Sequence, residues 1–184
     1  MKELFTIDCG EIILREFLTE DAEAIYQLTS QPEVYEFLPD WRSTKEQRAE
    51  WLKNYEIPDN KKFIEASPEI TNEFLKLGMI LKETNEFIGF CNTGIKEGLN
   101  EPNREIAYAV SKRYRNRGYT TQAVQGLIRY LFENTNVKHV NAVILPQNTA
   151  SNKVIKKCGF AFCEEIELEG QLHYRYILKN EGIK

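Results

Sequence analysis

The sequence predicts a mixed α/β domain built on a mostly antiparallel sheet, and three observations carry that expectation. Leu75, Leu77, Met79 and Leu81 alternate with Lys76, Gly78, Ile80 and Lys82, the period of two that belongs to a strand. Val124, Leu127, Ile128 and Leu131 recur at helical spacing. Both kinds of element alternate along one chain of 184 residues, 42% of them hydrophobic, which is enough for one substantial core and too little for two. A single domain over residues 1–184 is expected.

In chain order, Glu11 to Arg15 reads as a strand, and Thr19 stands where it can cap a helix with Ala22, Ile25 and Leu28 on its apolar face. Ser43 with Glu46, or Thr44 with Gln47, forms a capping box ahead of Ala49, Leu52 and Tyr55. Residues 54–72 mix charge with two prolines and read as a surface loop. Phe74 to Leu81 and Phe87 to Cys91 form a hairpin, and Glu105 to Val110 is a further strand. A helix over Thr120 to Glu133, a strand over His139 to Leu145, a short helix over Ala150 to Lys157 and a hairpin of Phe160–Leu168 with Leu172–Leu178 complete about seven strands and about four helices.

Composition removes several classes of function. Lys and Arg total 24 against 28 Asp and Glu, a balance that argues against a generally basic, nucleic-acid-gripping surface. Cys9, Cys91, Cys158 and Cys163 lack paired ligand spacing, and only His139 and His173 supply imidazoles, so neither a metal site nor a disulfide framework is expected. Buried free thiols in a reducing cytoplasm are the expected state. No apolar run reaches the roughly 20 residues of a membrane span, and early charge interrupts any secretory leader.

The joint from Arg113 to Thr121, RYRNRGYTT, concentrates the chemistry. A strand ends, donors and a glycine follow, and a helix begins, so backbone N–H groups and the positive helix end converge on one spot suited to a pyrophosphate. Gly118 permits close approach or a positive φ, and Arg115 and Arg117 add charge around Asn116. The loop lacks the Gly-Lys-Ser/Thr of an NTPase and the three glycines of a dinucleotide site. An ordinary basic strand-to-helix turn would look the same from these residues alone.

Arg115-x-x-Gly118-x-Thr120, with Gly118-Tyr119-Thr120-Thr121-Gln122-Ala123, resembles the acetyl-CoA pyrophosphate loop of the GNAT superfamily, with Thr120 and Gln122 departing from the usual small residue and Glu. Asn148 to Phe160 is similar to the superfamily's Asn-x-x-Ala/Ser helix that ends in Gly-Phe. IILREFLTEDAEAIYQL and QPEVYEFLP resemble the opening of its ribosomal-protein N-terminal acetyltransferase branch. The resemblance spans roughly Glu11 to Leu178 and implies a GNAT-like sheet splayed between the fourth and fifth predicted strands.

The resemblance further implies an acetyl-CoA-dependent N-acetyltransferase that passes acetyl directly to a primary amine, a protein N-terminus or a small amine, in a ternary complex. Acetyl-CoA is the implied co-substrate, without a metal. Backbone groups of Ala109 and Val110 are implied to hold the pantetheine arm and thioester, and the loop of Arg115, Asn116, Arg117, Gly118, Tyr119 and Thr120 the pyrophosphate. Thr120 is expected to cap its helix, and Asn148 to bind the pantetheine region or cap the next one. Many relatives carry a Tyr where this chain has Ile155, and the ribosomal-protein branch, which resembles this chain in having Ser at 151, implies Ser151 as the group that stabilises the leaving thiolate, unless it merely caps its helix. Glu105 is the candidate base acting through water, or a solvated strand-end charge. Tyr35, Glu36, Trp41 and Tyr174 are candidates for the acceptor pocket. The alternative is a catalytically silent acyl-CoA sensor. The expected protein is cytoplasmic, a monomer or homodimer, without nucleic-acid or membrane partners.

Overall fold

Helices and strands form where the periodicity places them, with three additions. The computed structural model describes residues 4–181 and contains one sheet of eight strands, in the order β1-β2-β3-β4-β5-β6-β8-β7. The strands are β1 (Thr6–Asp8), β2 (Ile12–Glu16), β3 (Leu75–Leu81), β4 (Glu86–Ile95), β5 (Arg104–Val110), β6 (His139–Ile144), β7 (Ala161–Leu168) and β8 (Gln171–Lys179). All neighbours are antiparallel except β5 and β6. The strand beyond the expected seven is β1, whose three residues are too few to register a period.

The helices are α1 (Ala22–Thr29), α2 (Pro32–Tyr35), α3 (Lys45–Trp51), α4 (Ile57–Ala66), α5 (Tyr119–Asn134) and α6 (Thr149–Lys157). At α3 the capping box is the Thr44–Gln47 register: Gln47 N–H donates to Thr44 Oγ1 at 3.2 Å and Thr44 N–H to Gln47 Oε1 at 2.9 Å. At α1 it is Asp21, not Thr19, that organises the start. Its carboxylate accepts Leu18 N–H at 2.8 Å and a two-pronged Arg15 pair at 2.6 and 2.7 Å.

The expected surface loop over 54–72 is instead largely helix. A π-helical turn at Leu52–Glu56 joins α3 to α4, and Pro58 lies in the first turn of α4, where its missing N–H costs no helical bond. The buried face is Glu56, Asn60 and Phe63, so two of its three inward positions are polar and no apolar stripe marks the helix. Those polar groups are held by partners. Asn60 brackets the Lys76 peptide, accepting its N–H at 2.6 Å and donating to its carbonyl at 2.8 Å, and Glu56 pairs with Arg48 at 2.9 Å. Arg48 is 1% exposed and Glu56 5%. Removing one member strands a buried charge, so Glu56→Ala is expected to cost about 3–5 kcal/mol in denaturant unfolding.

The sheet divides the core. On one face α5 buries Ala123, Val124, Leu127 and Leu131 against Leu14, Leu77, Cys91 and Ile106. On the other, Phe17, Ile25, Leu28, Val34 and Leu52 cover Phe90 and Ala109. The four thiols are free, but only Cys9 and Cys91 are buried; Cys158 is half-buried and Cys163 exposed on β7. No helix among the described residues is long and apolar enough to cross a membrane.

Candidate active site

A sheet that stops pairing must leave peptide groups without strand partners, and here that happens in the middle. β4 and β5 pair over seven positions, from Gly89–Val110 to Ile95–Arg104, whereas β5 and β6 pair at one, Glu105–Asn141. Beyond that vertex the two strands diverge into the splay expected between the fourth and fifth predicted strands. A cavity of about 450 Å³ occupies the opening, lined by residues 105–110 of β5, 142–144 of β6 with Leu145 after it, the loop leading into α5, and parts of α2 and α6.

Alternation along β5 decides which of its peptide groups face the cavity. Ser111 N–H donates to Ile88 O at 2.9 Å, and Thr93 Oγ1 donates to Glu105 O at 2.8 Å, so the odd-numbered peptide groups point to β4. A Cβ on Gly89 would lie 2.3 Å from Ala109 O, a close approach that only glycine permits. The Arg104 carbonyl accepts from Asn141 across the vertex, so the even-numbered groups point to β6. Ile106, Tyr108 and Val110 therefore present N–H and C=O to the opening, while Ala109 lines it and turns its peptide groups to β4. Tyr108 spans the gap, its hydroxyl donating to Ser151 O at 3.1 Å.

Glu105 sits at the vertex and keeps part of its surface open to the cavity. Crowding by protein strips water from the carboxylate and raises its pKa from 4.5 to about 7, against a small opposing pull from Lys96. Ser151 faces the same cavity from the first turn of α6, beside the Tyr108 hydroxyl. The α6 cap is Asn148, whose Oδ1 accepts Ser151 N–H at 3.1 Å, so the serine side chain is not needed for capping.

The loop into α5 contains two left-handed residues, Asn116 at φ 61° and Gly118 at φ 83°, the latter being the N-cap. No side chain caps this helix, so its first N–H groups open onto the cavity lined by Tyr119, Thr120 and Thr121. Thr120 lies inside the first turn, and the expected cap from it is absent because Gly118 takes that position without a side chain. Arg115 lines the cavity and donates to Glu33 O at 3.0 Å. Arg117 lies outside the lining, its guanidinium 5.8 Å from the Tyr114 ring centroid. Gln122 accepts from Glu11 N–H at 3.0 Å and donates to Glu11 Oε1 at 2.9 Å. A Glu there would face Glu11 with like charge.

Of the acceptor candidates, none lines the cavity. Trp41 stacks on Phe90 at 4.2 Å between centroids, Tyr35 lies under Arg42, Glu36 is exposed, and Tyr174 packs edge-on against Phe162. The rest of the cavity wall is made by Glu33, Val34, Phe37 and Leu38 around α2, by His173 of β8 and by Lys153 and Lys157 on α6. The one-turn helix starting at Pro32 is the sequence feature that marks this wall. Among the described residues no group of three His, Cys, Asp or Glu could hold a metal ion.

A family model described as acetyltransferase (GNAT) domain matches residues 11–161. The chain belongs to the GNAT acetyltransferase family. It is similar to the uncharacterized N-acetyltransferase YnaD of Bacillus subtilis (strain 168), 28% identical over 153 residues, which cover 83% of this chain and 81% of YnaD. In fold it resembles RimL, a ribosomal L7/L12 alpha-N-protein acetyltransferase solved with coenzyme A, at TM-score 0.76 and 15% identity over 95% of this chain and 98% of that one. It equally resembles AAC(6')-Ib in complex with ribostamycin and coenzyme A, at TM-score 0.73 and 15% identity over 94% and 95%. This GNAT protein is an acetyl-CoA-dependent acetyltransferase, and acetyl-CoA is its acetyl donor.

Proposed function

We propose that this GNAT enzyme transfers acetyl directly from acetyl-CoA to a primary amine, with Glu105 as base and Ser151 as the group that stabilises the departing thiolate. The observation that carries this reading is the pairing of opposite chemistries across one splay. A carboxylate whose proton affinity is raised to about 7 stands at the vertex, and the Ser151 hydroxyl stands on the α6 wall. A base with a pKa near neutral matches the operating pH and accepts a proton through water from an ammonium of pKa about 8 for an α-amine or 10.4 for a lysine.

In this reading the free amine attacks the thioester carbon. The carbonyl oxygen gains charge and takes hydrogen bonds from cavity-facing backbone N–H groups of β5, Val110 foremost. Collapse expels the thiolate, which Ser151 Oγ–H hydrogen-bonds and which takes up the proton that the new amide nitrogen sheds. Arg115, Asn116, Gly118, Tyr119 and Thr120 cradle the pyrophosphate with backbone N–H groups and one guanidinium, and Lys153 and Lys157 add positive charge on the far wall. Arg117 contributes its long-range field rather than a contact. Asn148 acts by fixing the first turn of α6, and so the place of Ser151.

A hydrogen bond to a charged acceptor contributes about 1–3 kcal/mol, so Ser151→Ala is expected to lower kcat roughly 5- to 150-fold with the acetyl-CoA KM little changed. Steady-state thiol release measures both constants; an unchanged kcat removes Ser151 from the mechanism.

The acceptor we propose is a protein N-terminus or a small amine, because fold neighbours of nearly equal similarity include a ribosomal-protein acetyltransferase and a protein solved with ribostamycin. Glu105 gives the cavity a carboxylate for a cationic acceptor, Glu33 being paired with Lys112, and Val34, Phe37 and Leu38 give it an apolar rim. The four free thiols support a cytoplasmic location. We propose a monomer or homodimer in solution, the latter through the exposed edge strand β7.

A further inference from the structure

The splay needs a hinge that neither slips nor opens, and backbone pairing supplies only one position for it, Glu105–Asn141. Asn141 is completely buried, and its side chain spends every donor and its oxygen there. The two amide hydrogens go to Pro102 O at 2.8 Å and Arg104 O at 2.9 Å, the carbonyls on either side of the approach to Glu105. Its Oδ1 accepts Arg175 Nε from β8 at 2.9 Å. Arg175 then reaches Pro102 O at 3.3 Å and pairs with Glu164 of β7 at 2.8 Å. One carboxamide thus fastens β5, β6 and β8 at the point where the cavity begins.

We propose that Asn141 is a positioning residue that sets the opening of the splay and holds Glu105 in fixed register with the β6–α6 wall carrying Ser151. This rests on the reading of Glu105 as the base. Asn141 acts in two ways. Its paired amide hydrogens replace the parallel ladder that the splay lacks, so β5 and β6 neither slide nor admit water at the vertex. Its oxygen, with Glu164, also occupies the Arg175 guanidinium, which shares the Glu105 face of the sheet. Burial is the main influence on the Glu105 carboxyl, with Lys96 pulling weakly the other way.

The test uses Asn141→Ala and the milder Asn141→Ser in the full chain, with circular dichroism as a check on folding. The Glu105 carboxyl is followed by carbon-13 NMR titration, assigned with Glu105→Gln, and coenzyme A alone is titrated by calorimetry. In Asn141→Ala, water enters and Arg175 is freed, so the Glu105 midpoint is expected to fall by about one pH unit or more. Coenzyme A affinity is expected to drop about tenfold as the walls shift, with smaller changes of the same sign in Asn141→Ser. If Asn141→Ala does not fold, Asn141→Ser decides by the same two readouts. A folded variant with an unmoved midpoint and unchanged coenzyme A affinity overturns the positioning role. Neither readout depends on turnover, so failure here is distinct from failure of Glu105 as base, which full activity in Glu105→Gln would show.

Discussion

Replacing Glu105 by Gln is expected to lower kcat about 10²- to 10⁴-fold while coenzyme A affinity stays unchanged. The amide keeps the shape of the carboxylate and removes its ability to take a proton. In the parent enzyme the rate constant is expected to rise with pH through about 7, because the ionised carboxylate is the active form, and Glu105→Gln is expected to lack that limb. The same substitution is expected to raise stability above neutrality. A carboxyl at about 7 in the folded chain and near 4.5 in the unfolded one leaves the folded state holding the extra proton between these values. Stability contributed at this site therefore falls as pH rises from about 4.5 to about 7 and stays low above it. Glu105→Gln escapes that loss, so it should melt higher than the parent at pH 8 and show no such gain at pH 4. Loss of rate together with a gain in melting temperature separates a catalytic group from a structural one.

Coenzyme binding is expected to fail in Arg115→Glu and Gly118→Trp. Arg115 lines the cavity beside helix N–H groups that have no side-chain cap, and reversing its charge replaces charge-assisted bonds of about 1.5–3 kcal/mol each with repulsion. An affinity loss of about 10²-fold or more follows, measurable by calorimetry with coenzyme A. Gly118 sits at φ 83° with open space where a Cβ would stand. A side chain there costs about 1–2 kcal/mol of backbone strain, and an indole also enters the space the phosphates need. The parent should gain melting temperature with added coenzyme A, and both variants should not.

Much of this was legible because strong periodicity and special backbone positions leave marks in sequence. The strand–loop–helix joint around Gly118 is one, since a glycine among donors at a helix start marks a place where the backbone turns left-handed, although an ordinary basic turn shares that pattern. α4 was hidden because Glu56 and Asn60 turn inward and find partners in Arg48 and Lys76, so its buried face reads as polar. Thr120 and Thr19 look like caps in sequence, yet Gly118 and Asp21 hold those places, because cap identity depends on where the first turn begins. Tyr35, Trp41 and Tyr174 have the composition of a binding wall, but stacking and edge contacts draw them into packing, and the less conspicuous Val34, Phe37 and Leu38 face the cavity. The Asn141 clamp has no local pattern, since its partners lie 37 and 34 residues away in sequence.

The most direct measurement is free-thiol release from acetyl-CoA across peptides with free N-termini, polyamines, aminoglycosides and amino acids, with Glu105→Gln and Ser151→Ala beside the parent. Amine-dependent release by the parent that falls in both variants is the predicted result, and the responding amine names the acceptor class. Coenzyme A binding without amine-dependent release from any of these acceptors would contradict direct acetyl transfer at this splay and point to a chain that senses acyl-CoA without turning it over.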